Sequence, residues 1–295
     1  MKKSVWVVMI NYFGANDTIE CINSIRKSDI DVSILIVDNS NDEKERKKIS
    51  AISNIYYIDA KKNLGFAEAN NIGIAYAIKN KATHVILLNN DTIIDSKMIS
   101  ELLNQSDDNS ICVPEMLYYY DKNKIWYGGG EINRITGNIH VTTTKRCIFE
   151  DKGFEICTFA TGCCMLLPVS VINKFDYIFD SALFMYCEDT EFCIRADIKG
   201  VKIRYVPSAK LWHKISASSG GSMSPLSIYY TSRNRLYYIK KHKKYFCATA
   251  KWCAIASRIA RIIQYRIIGN PIWKAYYKAL VDSKNGVYGC TDLEV

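Results

Sequence analysis

Short apolar runs alternate with helical stretches through the first half of the chain, and that alternation limits the fold more than any other feature. Val5–Ile10 is apolar and ends at a polar turn, Asn11-Tyr12-Phe13-Gly14. Asn16–Arg26 then carries Ile19, Ile22 and Ile25 on one helical face. Ser33–Val37 reads as a second strand ending in Asp38-Asn39-Ser40, and Glu43–Ile52 as a charged helix. Ile55–Ile58 is a short strand, Phe66–Lys79 a helix with Ala67, Asn70, Ile74 and Ile78 at helical steps. His84–Leu88 is an apolar strand ending in Asn89-Asn90-Asp91, followed by a helix over Ser96–Asn104. Strands separated by helices indicate an α/β fold with a mostly parallel sheet covered on both faces. In such sheets ligands bind beyond the carboxyl ends of the strands. Three of the four clearest strands end there in Asn11, Asp38 and Asp91.

After Tyr118 the pattern turns irregular and β-like up to Phe159. Regular signals return at Val169–Phe175, in a helix over Asp189–Lys199, and in strands Lys202–Val206 and Lys210–Trp212. Ser216–Ser224 is a Ser- and Gly-rich loop, and the stretch from Leu226 to about Leu280 reads as helices. The 295 residues suffice for one large α/β domain with a small appendage, or for two modest domains. The division expected is a catalytic domain over 1–225, with halves meeting near 115, and a helical region over 226–295. At 48% hydrophobic and 23% charged residues, extensive disorder is not expected.

The 11 cysteines include no CxxC pair and no zinc-site spacing. No export segment is read at Met1–Ile10, so reduced, buried thiols in a cytoplasmic protein are expected. The net charge of +9 is concentrated late in the chain: no Asp or Glu occurs between Ile198 and Val281, while Lys and Arg recur throughout. An anionic partner for that third is expected, such as a membrane surface, a pyrophosphate group or nucleic acid.

Four constellations carry chemistry. In LLNNDT, Leu87–Thr92, an apolar strand delivers Asn89, Asn90 and Asp91 to one turn, where a carboxylate can bind a hard divalent cation that bridges phosphates. The bland alternative is an ordinary turn Asp. In NLGFAEANNIG, Asn63–Gly73, Gly65 opens a helix whose amides could face phosphate or sugar hydroxyls. Asn70, Asn71 and Gly73 are poor helix formers, so ligand contact or tight packing on the sheet must explain them. Glu188-Asp189-Thr190-Glu191 places three carboxylates at a helix N-terminus, either as caps or as the general base for an acceptor hydroxyl. His213 follows a strand end, as a structural imidazole or as a metal ligand beside Asp91.

Together these segments resemble glycosyltransferase family 2, inverting nucleotide-sugar transferases of the GT-A fold, in its rhamnosyltransferase-like branch. The resemblance runs from about residue 4 to 240 in the family's order. MINYFG, with Asn11 and Tyr12, resembles the donor-binding first strand, and VDNS carries Asp38, which by resemblance meets the nucleobase. NLGFAEANNIG matches in full a segment specific to the branch, bringing Asn63, Gly65, Phe66 and Asn70 to the donor. LLNNDT resembles the Asp-x-Asp metal motif with Asn89 in place of the first Asp, leaving Asp91 as the main ligand. TGCCMLLP places Thr161, Gly162 and Cys163 under sugar and acceptor. MYCEDTEFCIRADIKGVKIRYVPSAKLWH supplies Asp189 as base with Glu188 beside it, Glu191 toward the acceptor, and His213 as late metal ligand. YYTSRNRLYYIKKH puts Arg233 and Asn234 near the diphosphate.

The resemblance implies single displacement from a dTDP- or UDP-linked sugar, with Mn²⁺ or Mg²⁺, onto a polysaccharide or lipid-diphosphate-linked glycan. Residues 246–263 are apolar but interrupted by Lys251, Arg258 and Arg261, which excludes a plain membrane span. Trp252, Ile255, Ile259, Ile262 and Ile263 share a face, as in an interfacial helix at the inner face of an anionic membrane, or in a helix packed on this domain or a second subunit. The alternatives are a nucleotidyltransferase, against which Asn11–Asp17 offers one Gly and no Lys or Arg, and a non-catalytic anion- or nucleic-acid-binding module.

Overall fold

The structure is a computed structural model that describes residues 3–144, 153–215 and 224–291. The chain proceeds β1 (Val5–Asn11), α1 (Ala15–Ile25), β2 (Ser33–Asp38), α2 (Glu43–Ser50), β3 (Tyr56–Asp59), α3 (Gly65–Lys79), β4 (His84–Leu88), β5 (Thr92–Ile94), α4 (Met98–Asn104) and β6 (Ser110–Tyr118). Short strands follow, β7 (Ile125–Tyr127), β8 (Gly130–Ile132), β9 (Ile139–Val141) and β10 (Glu155–Cys157). Then come β11 (Cys164–Pro168), α5 (Val169–Ile172), α6 (Glu188–Ile198), β12 (Lys202–His213), α7 (Pro225–Lys241), α8 (Thr249–Ile267) and α9 (Trp273–Asn285). The Ser/Gly-rich loop expected over 216–224 lies, except for Ser224, outside the described residues.

The main sheet has the order β10-β12-β6-β11-β4-β1-β2-β3. Along that path only β10 and β11 run against the other strands, so the sheet is mostly parallel. The carboxyl ends of β1, β2, β4 and β12 therefore share one edge, and β11 starts there, with Cys164 opposite Leu88. Burial on both faces explains the continuous apolar runs: Val5–Met9, Ile34–Val37 and Val85–Leu88 are all buried.

Strands β12 and β6 show why parts of the sheet differ from the pattern in the sequence. The runs at Lys202 and Lys210 are one strand, β12, whose register against β6 shifts between Val206 and Lys210. Pro207 lies in that gap and has no N–H to give the ladder. β6 is almost wholly buried, but its Pro114-Glu115 step interrupts an otherwise readable apolar run; Tyr205 Oη satisfies Glu115 at 2.9 Å. Gly73 is explained by packing: a β-carbon there would lie 2.3 Å from Val8 Cγ1. The main core continues into the C-terminal helices through Leu236, Tyr238, Ile239, Phe246, Ala250 and Ala254. The ten described cysteines are free thiols.

Candidate active site

At the β1–β2 end, the polar residues bind one another. Asn11 is fully buried; its Nδ2 lies 3.0–3.1 Å from Asp38 Oδ1, Ser40 Oγ and Glu45 Oε2, and its Oδ1 accepts from Thr18. Asp38 also accepts from Ser40 N at 3.0 Å and from Tyr57 Oη at 2.9 Å. Asn11, expected at the donor, is thus a hub tying β1, β2, α1 and α2 together. Tyr12 and Phe13 are the exposed groups at this end and meet edge to face at 4.9 Å. They offer a base an aromatic surface.

The NLGF turn is wired to its surroundings in the same way. Asn63 Oδ1 accepts from Gly65 N at 2.9 Å, and Asn39 Nδ2 donates to Gly65 O at 3.0 Å. The amides of Phe66 and Ala67, expected to face phosphate, both donate to the Phe184 carbonyl at 2.7 and 3.3 Å. That carbonyl occupies the position an anion would take at a helix start. Gly65 is required here: its φ is +79° and a β-carbon would come within 2.4 Å of Phe184 O. Asn70 Nδ2 donates to Phe66 O at 2.8 Å, while Asn71 bonds both the N–H and C=O of Phe179.

Beyond β4 the strand ends meet. Asp91 and His213 are 122 residues apart in sequence, yet Asp91 Oδ1 lies 3.1 Å from His213 Nε2. The antiparallel β5–β12 pairing, with His213 opposite Thr92, brings them together. Trp126 covers His213 edge to face, with ring centroids 4.5 Å apart. One carboxylate oxygen and one imidazole nitrogen converging in this way fit a Mn²⁺ or Mg²⁺ site completed by other oxygens. Among the described residues no third His, Cys, Asp or Glu joins them. Asn89 N donates to Cys163 O at 2.8 Å, so the motif turn is stitched to the start of β11. Asn90 Nδ2 instead holds Thr18 Oγ1 at 2.9 Å, fixing α1.

Next to this lies the start of α6. Gly162 N donates to Asp189 Oδ2 at 3.0 Å, and Thr190 N donates to Asp189 Oδ1 at 2.6 Å. A β-carbon at Gly162 would meet the Phe66 ring at 3.2 Å and Asp189 Cβ at 3.7 Å, so three distant segments converge here. Thr161 Oγ1 accepts from Cys163 N at 3.4 Å. Burial raises the Asp189 carboxyl above its ordinary value despite the amide bonds that pull it back. Burial and the Asp189 charge push Glu188 well upward, and Glu188 Oε2 is buried with no partner among the described residues. Two adjacent carboxyls with raised proton affinity suit proton transfer.

Three expected site residues serve elsewhere. Glu191, on α6 itself, is fully buried and engages Arg195, Lys241 and His242, each at 2.8 Å. Burial alone would raise it, but the His242 hydrogen bond and the neighbouring cations hold it down at about 2. Arg233 is fully buried too; its Nη1 donates to Gly289 O at 2.9 Å and Thr291 Oγ1 at 3.1 Å, its Nε to Asn234 Oδ1. It pins the C-terminal segment rather than facing the strand ends. Its neighbour Asn234, expected with it near the diphosphate, turns its Nδ2 to the carbonyls of Leu183, Met185 and Tyr186 at 2.8–2.9 Å. Phe184, Tyr186 and Cys187 in that loop have φ of 62–70°, three positive values just before α6. Such values leave no signal in residue type.

Comparison with known proteins agrees with this geometry. Residues 6–175, more than half of the chain, match the profile of glycosyl transferase family 2. The chain belongs to that family and is a glycosyltransferase. It is 28% identical over 234 residues to the low-salt glycan biosynthesis hexosyltransferase Agl10 of Haloferax volcanii, covering 78% of this chain and 73% of that one. It is 24% identical to the dTDP-rhamnosyl transferase RfbF of Shigella flexneri, covering 82% of each. In fold it is similar to GalNAc-T7, solved with UDP, GalNAc and Mn²⁺, at a TM-score of 0.62 and 17% identity over 82% of this chain. The chain spans only 49% of that larger protein. The fold is GT-A, and family membership sets aside the nucleotidyltransferase and binding-module alternatives.

Proposed function

We propose that the protein is an inverting transferase that moves a rhamnosyl or other hexosyl group from a nucleoside diphosphate to a glycan hydroxyl. The observation that carries this is Asp189, held by the Gly162 amide at 3.0 Å and raised by burial, on the same strand-end edge as the Asp91–His213 pair. Asp189 takes the acceptor proton while the hydroxyl oxygen attacks the anomeric carbon from the side opposite the diphosphate. One C–O bond forms, the bond to the phosphate oxygen breaks, and configuration inverts. Glu188 lies beside Asp189, and burial together with the Asp189 charge raises its own proton affinity. Asp91 and His213 would hold a divalent cation, which when bound neutralises charge on the departing diphosphate. Tyr12 and Phe13 offer the nucleobase its stacking surface. The names of the relatives, a hexosyltransferase of glycan biosynthesis and a dTDP-rhamnosyl transferase, favour a hexosyl or dTDP-linked rhamnosyl donor and a glycan as acceptor.

Membrane contact is part of the same reading. No described helix is long and apolar enough to cross a membrane. α8 nevertheless presents Trp252, Ile259, Ile263 and Ile267 to solvent on one stripe, with Lys251, Arg261 and Arg266 exposed beside it. Ile255 packs on the core and Ile262 is half-buried, so the outward face lies somewhat round the helix from the one read in the sequence. A stripe of this kind suits an anionic membrane surface, where a lipid-linked acceptor would be presented.

The test is thermal stabilisation by UDP, dTDP, GDP and CDP, each with and without Mn²⁺ or Mg²⁺. A native-state ligand at a hundredfold excess over Kd adds about 2.7 kcal/mol. A metal-dependent shift with one nucleotide, abolished in Asp91→Ala, supports the donor site. Absence of any shift in folded protein sinks it.

A further inference from the structure

Two arginines sit where the described residues supply no counter-charge. α8 turns Ala250, Ala254 and then Arg258 inward at four-residue steps, and the two alanines are fully buried. Arg258 therefore stands in line with the core-facing stripe. Its Nε is buried without a partner among the described residues, and Nη1 reaches only Ser257 Oγ, at 2.9 Å. On the neighbouring α7, Arg235 repeats the pattern: Nε is buried and unpartnered, and Nη2 donates to Thr136 O at 2.6 Å. Neither guanidinium has a carboxylate partner among the described residues. Burial, and then the charge of Arg235, push Arg258 down to about 10. A half-buried like-charge pair of this sort is costly unless an anion completes it.

The pair's location links it to the transfer site. Cys187, the residue that caps α6 two positions before Asp189, donates through Sγ to the Thr231 carbonyl at 3.9 Å, one helical turn before Arg235 on α7. Asn234, next to Arg235, holds the loop that leads into α6. A guanidinium pair presents a planar donor array suited to phosphate oxygens. We propose that Arg235 and Arg258 form a phosphate-binding subsite for the acceptor, holding a phosphate or diphosphate group while the attacking hydroxyl reaches Asp189. The proposal rests on the transferase reading above and adds to it the acceptor's charge and the residues that read it.

Inorganic pyrophosphate is the first probe, titrated calorimetrically into the full chain with EDTA present, which suppresses metal-assisted binding at Asp91. Arg258→Gln and Arg235→Gln should each weaken it about tenfold to a hundredfold, and Arg258→Lys by less. Asp91→Ala should bind it like the parent protein. The ligand-free melting temperature of Arg258→Gln should stay level or rise, because removing one charge relieves the repulsion. Binding unaffected by either Gln variant, binding lost in Asp91→Ala, or a lowered melting temperature in Arg258→Gln each overturns the proposal. Tighter binding of geranyl diphosphate than of glucose 1-phosphate assigns the phosphate to a lipid carrier, and the reverse order to the glycan itself. The metal-dependent nucleoside diphosphate shift, read on the same samples, tests the transferase reading separately.

Discussion

On the β1–β2 side of the sheet edge, Asn11, Asp38 and Asn39 are nearly completely buried and bonded to one another's elements. On the β4–β11–α6 side, Glu188 Oε2 and His213 Nδ1 are equally buried and have no partner among the described residues. The same kinds of residue thus do different work at two ends of one sheet. Satisfied polar groups fix a shape, because each lost bond leaves a desolvated atom behind. Unsatisfied ones store proton affinity and ligand affinity, the requirement of a site where a proton moves and charge develops. The β1–β2 end is a closed polar frame; the β4–β11–α6 end, where transfer is proposed, keeps buried polar atoms open among the described residues.

The largest effect expected is at the transfer end. Asp189→Asn should lower turnover about 10²- to 10⁴-fold while nucleotide binding persists. In the parent enzyme the rate should fall on the acid side, as Asp189 takes up its proton, at a pH above the ordinary carboxylate range because burial raises it. A pH–rate profile flat across that range would break the contrast drawn here.

Glu191 sharpens it, because this carboxylate lies on the same helix but is fully partnered. Its folded value of about 2 is below the ordinary 4.5, so its stabilisation is present above pH 4.5 and is lost as pH falls toward 2. Glu191→Gln should cost on the order of 3 kcal/mol at neutral pH and flatten the acid limb of stability in urea melts. An acid limb that persists in the variant would assign it to other groups.

At the frame end, Asn11→Leu should cost about 1–3 kcal/mol, since Asp38, Ser40 and Thr18 each lose a bonding partner out of water. Chemical denaturation measures this directly, and a neutral result would mean the hub is not what holds the strand ends. Smallest of all, Ile263→Glu on the exposed stripe of α8 should change stability by less than about 0.5 kcal/mol. Its effect should appear only in sedimentation with anionic vesicles, where binding falls; unchanged vesicle binding would remove the membrane face.

Much of the frame was legible before any coordinates. His84–Leu88 was read with its observed bounds, and α1, α2, α3 and α6 to within a few residues, because buried parallel strands and one-sided helices leave periodic apolar signals. β5, β6 and β11 leave no clear strand signal: one is three residues long, one contains Pro114, and one coincides with the TGCCMLLP motif. Among candidate site residues, Asp91 and His213 are legible together as metal ligands and lie 3.1 Å apart, whereas Gly162 and Asp189 carry separate motifs that only the fold joins. Arg233 and Glu191 look like ligand contacts by type, yet partners from distant elements enclose them.

The sequence by itself determined the α/β architecture, the order of its strands along the chain and the chemical kinds of group placed at their ends. These follow from local periodicity and residue type, which the chain carries wherever it folds. Tertiary structure decided which of those groups are satisfied and which are left open. That distinction depends on neighbours tens to hundreds of residues away: the Phe184 carbonyl that occupies the α3 amides, the loop that Asn234 holds, the two inward arginines of α7 and α8. Burial and pairing are properties of the packed whole, and no single segment encodes them.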